Sequence, residues 1–349
     1  MEAAKRDFRY SSKKLNAYIG SDNEVLIEGM GMPCRMTDHC LSQFASTHTP
    51  GGIKTLKKFR NEHPDLLVET LNTMFNREAD VRLYRTLQNQ GSGEGTLRAI
   101  LSKQYRIFDS IDLWKGIKPV LDELPGLRYE SHYLGYDGFR IKVFWPGNSV
   151  SPKVGETVYA GAEISANEIG TGGAYRIVPM SMVLSCTNGA KYNASAFSRA
   201  HITRQHSKEY ATILSAEAVK AGEYSVALEA RDILKHVLTG TFIQMVGRQM
   251  QEAMGQPVTL DSAKEILEEV ELPARYSDEV MDELFSSGDN SLFGLANAVN
   301  FIAHSGDQIL EAGSVQDQYL ESTSLEEISG AIMNRVLPFS RKDMIGRVR

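Results

Sequence analysis

The chain has 349 residues, of which 42% are hydrophobic and 23% charged, with three cysteines and a formal net charge of −6. That balance excludes a disordered, collagenous or disulfide-stapled chain, and the length allows two or three domains or one large domain with an appendage. No run of about 18 apolar residues exists to span a membrane, and the basic start MEAAKRDFRYSSKK reads as no secretory leader, so the expected setting is the reducing cytoplasm.

Residues 1–30 read as mostly irregular, with a strand over Glu24–Glu28. Helices are predicted over 38–45, 54–62 and 65–75; Pro50-Gly51-Gly52 separates the first two, and Leu66, Leu67, Leu71 and Phe75 recur at helical spacing. Val81–Leu87 is a candidate strand. The glycine-rich 88–96 reads as a mobile linker; it lacks the Lys-Ser/Thr that a phosphate loop requires.

A strand–helix–strand–strand unit follows. Ile111–Glu123 is amphipathic, and Arg128–Leu134 and Gly138–Trp145 flank the hairpin turn Gly135-Tyr136-Asp137-Gly138. Alternation puts Arg140, Lys142 and Phe144 on one face of the second strand and Phe139, Ile141, Val143 and Trp145 on the other. Pro146-Gly147 is the expected end of that strand. Strands over 156–164 and 174–186 continue the sheet through the turn Gly170-Thr171-Gly172-Gly173, and Cys186-Thr187-Asn188-Gly189 makes a sharp corner. Long helices are expected over 211–221 and 226–250. Further starts are marked by Asp261, Ser277 and the capping box Ser324-x-x-Glu327.

The predicted class is α+β, a curved antiparallel sheet within 97–200 packed by helices from both ends of the chain. The expected domains are a mostly helical 1–90, a linker at 91–96, an α+β core over 97–245, an acidic helical region over 246–336 and a basic tail at 337–349. Residues 246–349 hold 18 acidic against 8 basic side chains, whereas 97–245 hold 14 against 17. A nucleic-acid surface therefore belongs on the middle region.

Several groupings suggest chemistry, each with a bland alternative. Cys34, His39, Cys40 and His48 are zinc-type donors, but adjacent His39 and Cys40 diverge on a helix and no paired C-x2-C is present, so no metal site is assigned. Cys186, His201 and Asn188 form the plausible nucleophile set, yet Cys186 sits on an apolar strand face, where a thiol is packing. Glu163 with Glu168, and Asp109 with Asp112, are carboxylate pairs of a kind common on structural surfaces. No catalytic residue and no cofactor is assigned. Basic and aromatic side chains interleave at Lys103, Tyr105 and Arg106, at Arg140, Lys142 and Phe144, and at Arg199 and His201. Single-strand binders combine such a basic groove with stacking platforms.

These segments resemble the phage/plasmid-like family called domain of unknown function 932. LSKQYRIFD (101–109) is similar to its LS-x-x-Y-x-x-x-D opening. ISANEIG (164–170) is similar to its I-x-N-S-E-x-G segment through Glu168 and Gly170, with Ala166-Asn167 departing from it. Asn188, Gly189 and His201 match its corner, and residues 291–299 with His304 resemble its C-terminal helix. The resemblance spans roughly residues 35–310 and implies a mobile genetic element. A looser similarity, by element order, is to the annealing proteins of recombination, which assemble as rings on single-stranded DNA. The expected function is thus a non-catalytic, single-stranded-DNA-binding protein of phage or plasmid DNA metabolism, active as a homo-oligomer. The alternatives are a nucleic-acid- or nucleotide-processing enzyme with Glu168, Asn188 and His201 near the chemistry, or a protein-interaction factor that meets host defence.

Overall fold

The computed structural model describes residues 5–48, 52–77, 81–88, 91, 93–103, 105, 107–153, 156–171, 173–183, 188–191, 196–199, 215–305, 309 and 315–338. Its class is α+β, as expected, but with two six-stranded sheets rather than one.

The first sheet contains β1 (Lys5–Ser11), β2 (Asn16–Ile19), β3 (Val25–Glu28), β4 (Cys34–Met36), β5 (Val81–Gln88) and β6 (Gly95–Ser102), in the order β1-β5-β6-β4-β3-β2. All its pairings are antiparallel except β4 with β6. Helices α1 (Asp38–His48), α2 (Gly52–Glu62) and α3 (Pro64–Arg77) cover one face. They bury Leu56, Leu67, Leu71 and Phe75 against Ile27, Tyr84 and Leu97. Two expectations change here. Residues 1–90 carry five strands beside their three helices. The glycine-rich stretch is no domain boundary, because it joins β5 to β6, which pair from Arg82–Ser102 to Gln88–Gly95. Long-range pairing of β6 with β5 and β4 draws the start of the supposed core into the N-terminal sheet.

The second sheet begins after α4 (Ser110–Glu123). Its strands β7 (Arg128–Gly135), β8 (Gly138–Val150), β9 (Val158–Asn167), β10 (Tyr175–Val183) and β11 (Asn188–Lys191) run in the order β11-β10-β9-β8-β7, and β12 (Phe197–Arg199) also pairs with β10. Every pairing is antiparallel. Pro146 does not end β8. Proline cannot donate to a ladder, so Pro146–Asn148 leave it as an irregularity and pairing resumes at Ser149. Asn148 there donates to the carbonyls of Leu238 and Gly240, at 2.8 and 3.0 Å.

One face of this sheet is apolar: Ile141, Val143, Ala160, Ala162, Ile164 and Ile177 are buried in the main core. Helices α4, α5 (Ala216–Thr239) and α6 (Phe242–Met254) pack there. The predicted helix over 226–250 is split at Gly240, whose N–H caps α5 through His236 O at 2.8 Å. Then come α7 (Leu260–Glu269), α8 (Ser277–Ser287), α9 (Leu292–Ser305) and α10 (Val315–Asn334). Helices α9 and α10 pack on each other and close against β11. Gly330 is why α10 can approach so near, since a Cβ there would overlap the Lys191 carbonyl oxygen. Gly330→Ala is expected to lower stability by about 1–3 kcal/mol, the usual size of an overpacking strain. Gly222→Ala in α5, which meets open space, should instead be neutral or slightly stabilising; urea midpoints of the two variants check the contrast.

Candidate nucleic-acid interface

The register of the second sheet lines up one row across five strands. Tyr133 on β7 pairs with Arg140 on β8, Arg140 with Ser165 on β9, Ser165 with Arg176 on β10, and Arg176 with Ser198 on β12. Residues directly opposite in a sheet share a face, and neighbouring strands lie about 4.8 Å apart. The two arginines therefore stand roughly 10 Å apart with a serine between them. They line a cleft of about 260 Å³ together with Ser165, Asn167, Thr171 and Glu327. The Arg140 guanidinium lies over the Tyr133 ring, 5.7 Å from its centroid.

Each arginine has a carboxylate partner at the cleft: Arg140 donates to Asp137 at 3.4 Å and Arg176 lies 3.7 Å from Glu327, so both are long ion pairs rather than short fork contacts. Charge-assisted hydrogen bonds run at about 2.7–2.9 Å. The lip of the cleft is preformed. Asn167 Oδ1 accepts from the N–H groups of Ile169 and Thr171 at 3.1 and 3.0 Å, and its Nδ2 donates to Thr171 Oγ1 at 2.8 Å. Gly170 and Gly173 take φ of +85° and +105° to complete the turn.

The inner half of the same face is filled. Lys142 Nζ donates to Glu326 Oε1 of α10 at 2.7 Å, and Lys191 Nζ reaches Glu326 Oε2 at 3.2 Å and also pairs with Glu163. His304 Nε2 of α9 lies 3.3 Å from Glu326. Burial raises the carboxyl pKa of Glu326, but Lys191 and Lys142 outweigh it and bring the value down to about 2. Phe144 packs with Met180, Met182 and Tyr159. The alternation expected for β8 is therefore real, but Lys142 is buried against Glu326 of α10 and Phe144 among Met180, Met182 and Tyr159, so neither is a surface contact. Of that trio only Arg140 reaches solvent.

Tyr105 is likewise buried, and burial raises its phenol pKa; it does not serve as an exposed stacking platform. Lys103 is exposed at the end of the first sheet, its carbonyl held by Arg9. Arg199 pairs with Tyr175 through its backbone, and its side chain lies outside the described residues, as do Arg106, Cys186 and His201. Asn188 and Gly189 open β11, opposite Val183 and Met182.

Glu168 is structural. It is buried between the two sheets, pairs with Arg98, and accepts from the Ser110 N–H at 2.7 Å. The neighbouring Arg85, fully buried, donates to the Glu168 carbonyl at 2.7 Å and to Asp109 at 2.5 Å, and lies 3.2 Å from Asp7. The sequence reading missed Arg176, Tyr133 and Lys191. Arg176 was visible only as the one cation between the apolar residues of β10. Cys34 and Cys40 are buried in the first core, and burial pushes the Cys34 thiol up to about 12. Among the described residues no group of three or more His, Cys, Asp or Glu is placed to hold a metal ion. No described helix is long and apolar enough to cross a membrane.

Comparison with known proteins finds no family model, curated protein or solved structure that matches this chain.

Proposed function

We propose that this chain is a phage- or plasmid-type DNA-metabolism protein that binds single-stranded DNA along the Tyr133–Arg140–Ser165–Arg176–Ser198 row, without turnover, in the bacterial cytoplasm. We place it among annealing proteins that work as oligomers. The observation that carries this reading is the row itself. Two arginines and two serines on one sheet face are donors for successive phosphates, and Tyr133 at the end offers a ring to a base. The short motifs shared with the phage/plasmid-like family support the biological setting.

Fluorescence anisotropy with a labelled oligonucleotide at low salt tests the proposal. Arg140→Ala and Arg176→Ala should each weaken single-strand binding several-fold, and duplex of equal length should bind more weakly. Tyr133→Ala should cost about 1–3 kcal/mol if a base stacks there. Absence of single-strand binding by the wild type, or nucleolytic turnover of the oligonucleotide, would reject it.

A further inference from the structure

The second sheet ends at β7, and among the described residues no strand pairs with its outer side. An exposed sheet edge presents N–H and C=O groups that another strand can take over from water, and a long edge with exposed apolar side chains is a pairing site. On β7, Leu134 is 79% exposed and Tyr129 54%. We infer that a second copy of this chain pairs with β7 antiparallel, about a two-fold axis through His132 and perpendicular to the sheet.

The β7 pattern is self-complementary about that axis. Glu130 is the extra residue of a bulge, because Tyr129 pairs with Val143 and Ser131 with Lys142. Tyr129, His132 and Leu134 therefore share one face, and Ser131 and Tyr133 the other. With His132 opposite its own copy, Ser131 meets Tyr133 of the other chain. Once the bulged residue is passed, Tyr129 of each copy meets Leu134 of the other. The two most exposed apolar residues of the edge thus cover each other on the same face, twice. The segment RYESHYLG holds one arginine and one glutamate, so no net charge opposes the approach. A two-fold of this kind turns both arginine rows to the same side of the joined sheets, which makes one longer track. The inference deepens the oligomer reading above but rests on the strand edge alone.

The test is sedimentation velocity on the full chain with no nucleic acid present, so its outcome is separable from that of the DNA experiment. At tens of micromolar the wild type should sediment as a dimer, twice 38.7 kDa. Alternate residues from the Gly135–Gly138 closing pair turn their N–H outward at His132. His132→Pro should therefore remove an edge donor without breaking the β8 ladder. Leu134→Lys places a charge at the contact from a position already open to solvent. Both variants should keep the wild-type circular dichroism and melting of the monomer fold and sediment at 38.7 kDa. A monomeric wild type, or dimers that persist in Leu134→Lys, would overturn the inference.

Discussion

Glu326→Gln should destabilise the protein by about 3–5 kcal/mol, the size seen when one partner of a buried ion pair is removed. Its carboxylate is fully buried between Lys142 and Lys191, so the amide would leave two buried ammonium groups without the charge they share. Replacing the buried charges together should restore much of the loss, because the cost lies in the uncompensated cation; Lys142→Met with Glu326→Leu is such a pair. Urea unfolding of the three proteins reads this directly, and a loss below about 1 kcal/mol in Glu326→Gln would contradict the burial of the cluster. The same carboxyl sets a pH dependence. Its pKa is depressed in the fold from 4.5 to about 2. Its stabilisation is therefore fully present above about pH 4.5 and is lost as pH falls towards 2, worth roughly 3 kcal/mol in all. In Glu326→Gln that part of the acid destabilisation should be missing.

Arg85→Ala should cost about 3–5 kcal/mol for a related reason. One guanidinium holds Asp7 of β1, Asp109 at the start of α4 and the Glu168 carbonyl beyond β9, and so ties the first sheet to the second. Lysine should rescue little, since a single ammonium cannot reproduce the planar fork that meets three acceptors. Hydrogen exchange should show faster opening at the α4 N-terminus, where Asp109 and the Ser110 N–H belong to the network. Protection there equal to that of the wild type would show that the sheets are held by other contacts.

Local patterns made much of this fold legible. The leucines of α3, the amphipathic α4 and the Gly135–Gly138 hairpin each carry their signal within a few residues. Partners distant in sequence were not legible. β6 resembles the opening of a new domain until it meets β5 on one side and β4, in parallel, on the other. Arg85 and Arg98 sit in strands that look half exposed, and only the apposition of two sheets buries them. Lys142 and Phe144 alternate as a solvent face would, but Lys142 is covered by a helix that supplies its carboxylate from 184 residues away, and Phe144 by side chains of neighbouring strands. Arg140 was found because strand alternation and the hairpin fixed its face. Arg176 was missed because it is a lone cation in an otherwise apolar strand, and nothing local in the sequence shows that its end of the face stays open while Lys142 and Lys191 are covered.

The most direct test of the account is the salt dependence of single-strand affinity for wild type and for the double variant Arg140→Ala/Arg176→Ala. Each phosphate neutralised contributes about −0.7 to the slope of log affinity against log salt. Two lost contacts should therefore make the slope shallower by about 1.4, with weaker binding at every salt concentration. Lys142→Met with Glu326→Leu, which alters only the buried cluster, should leave the slope as it is in the wild type. A double variant whose slope equals that of the wild type would place the phosphates elsewhere and contradict the assignment of the row.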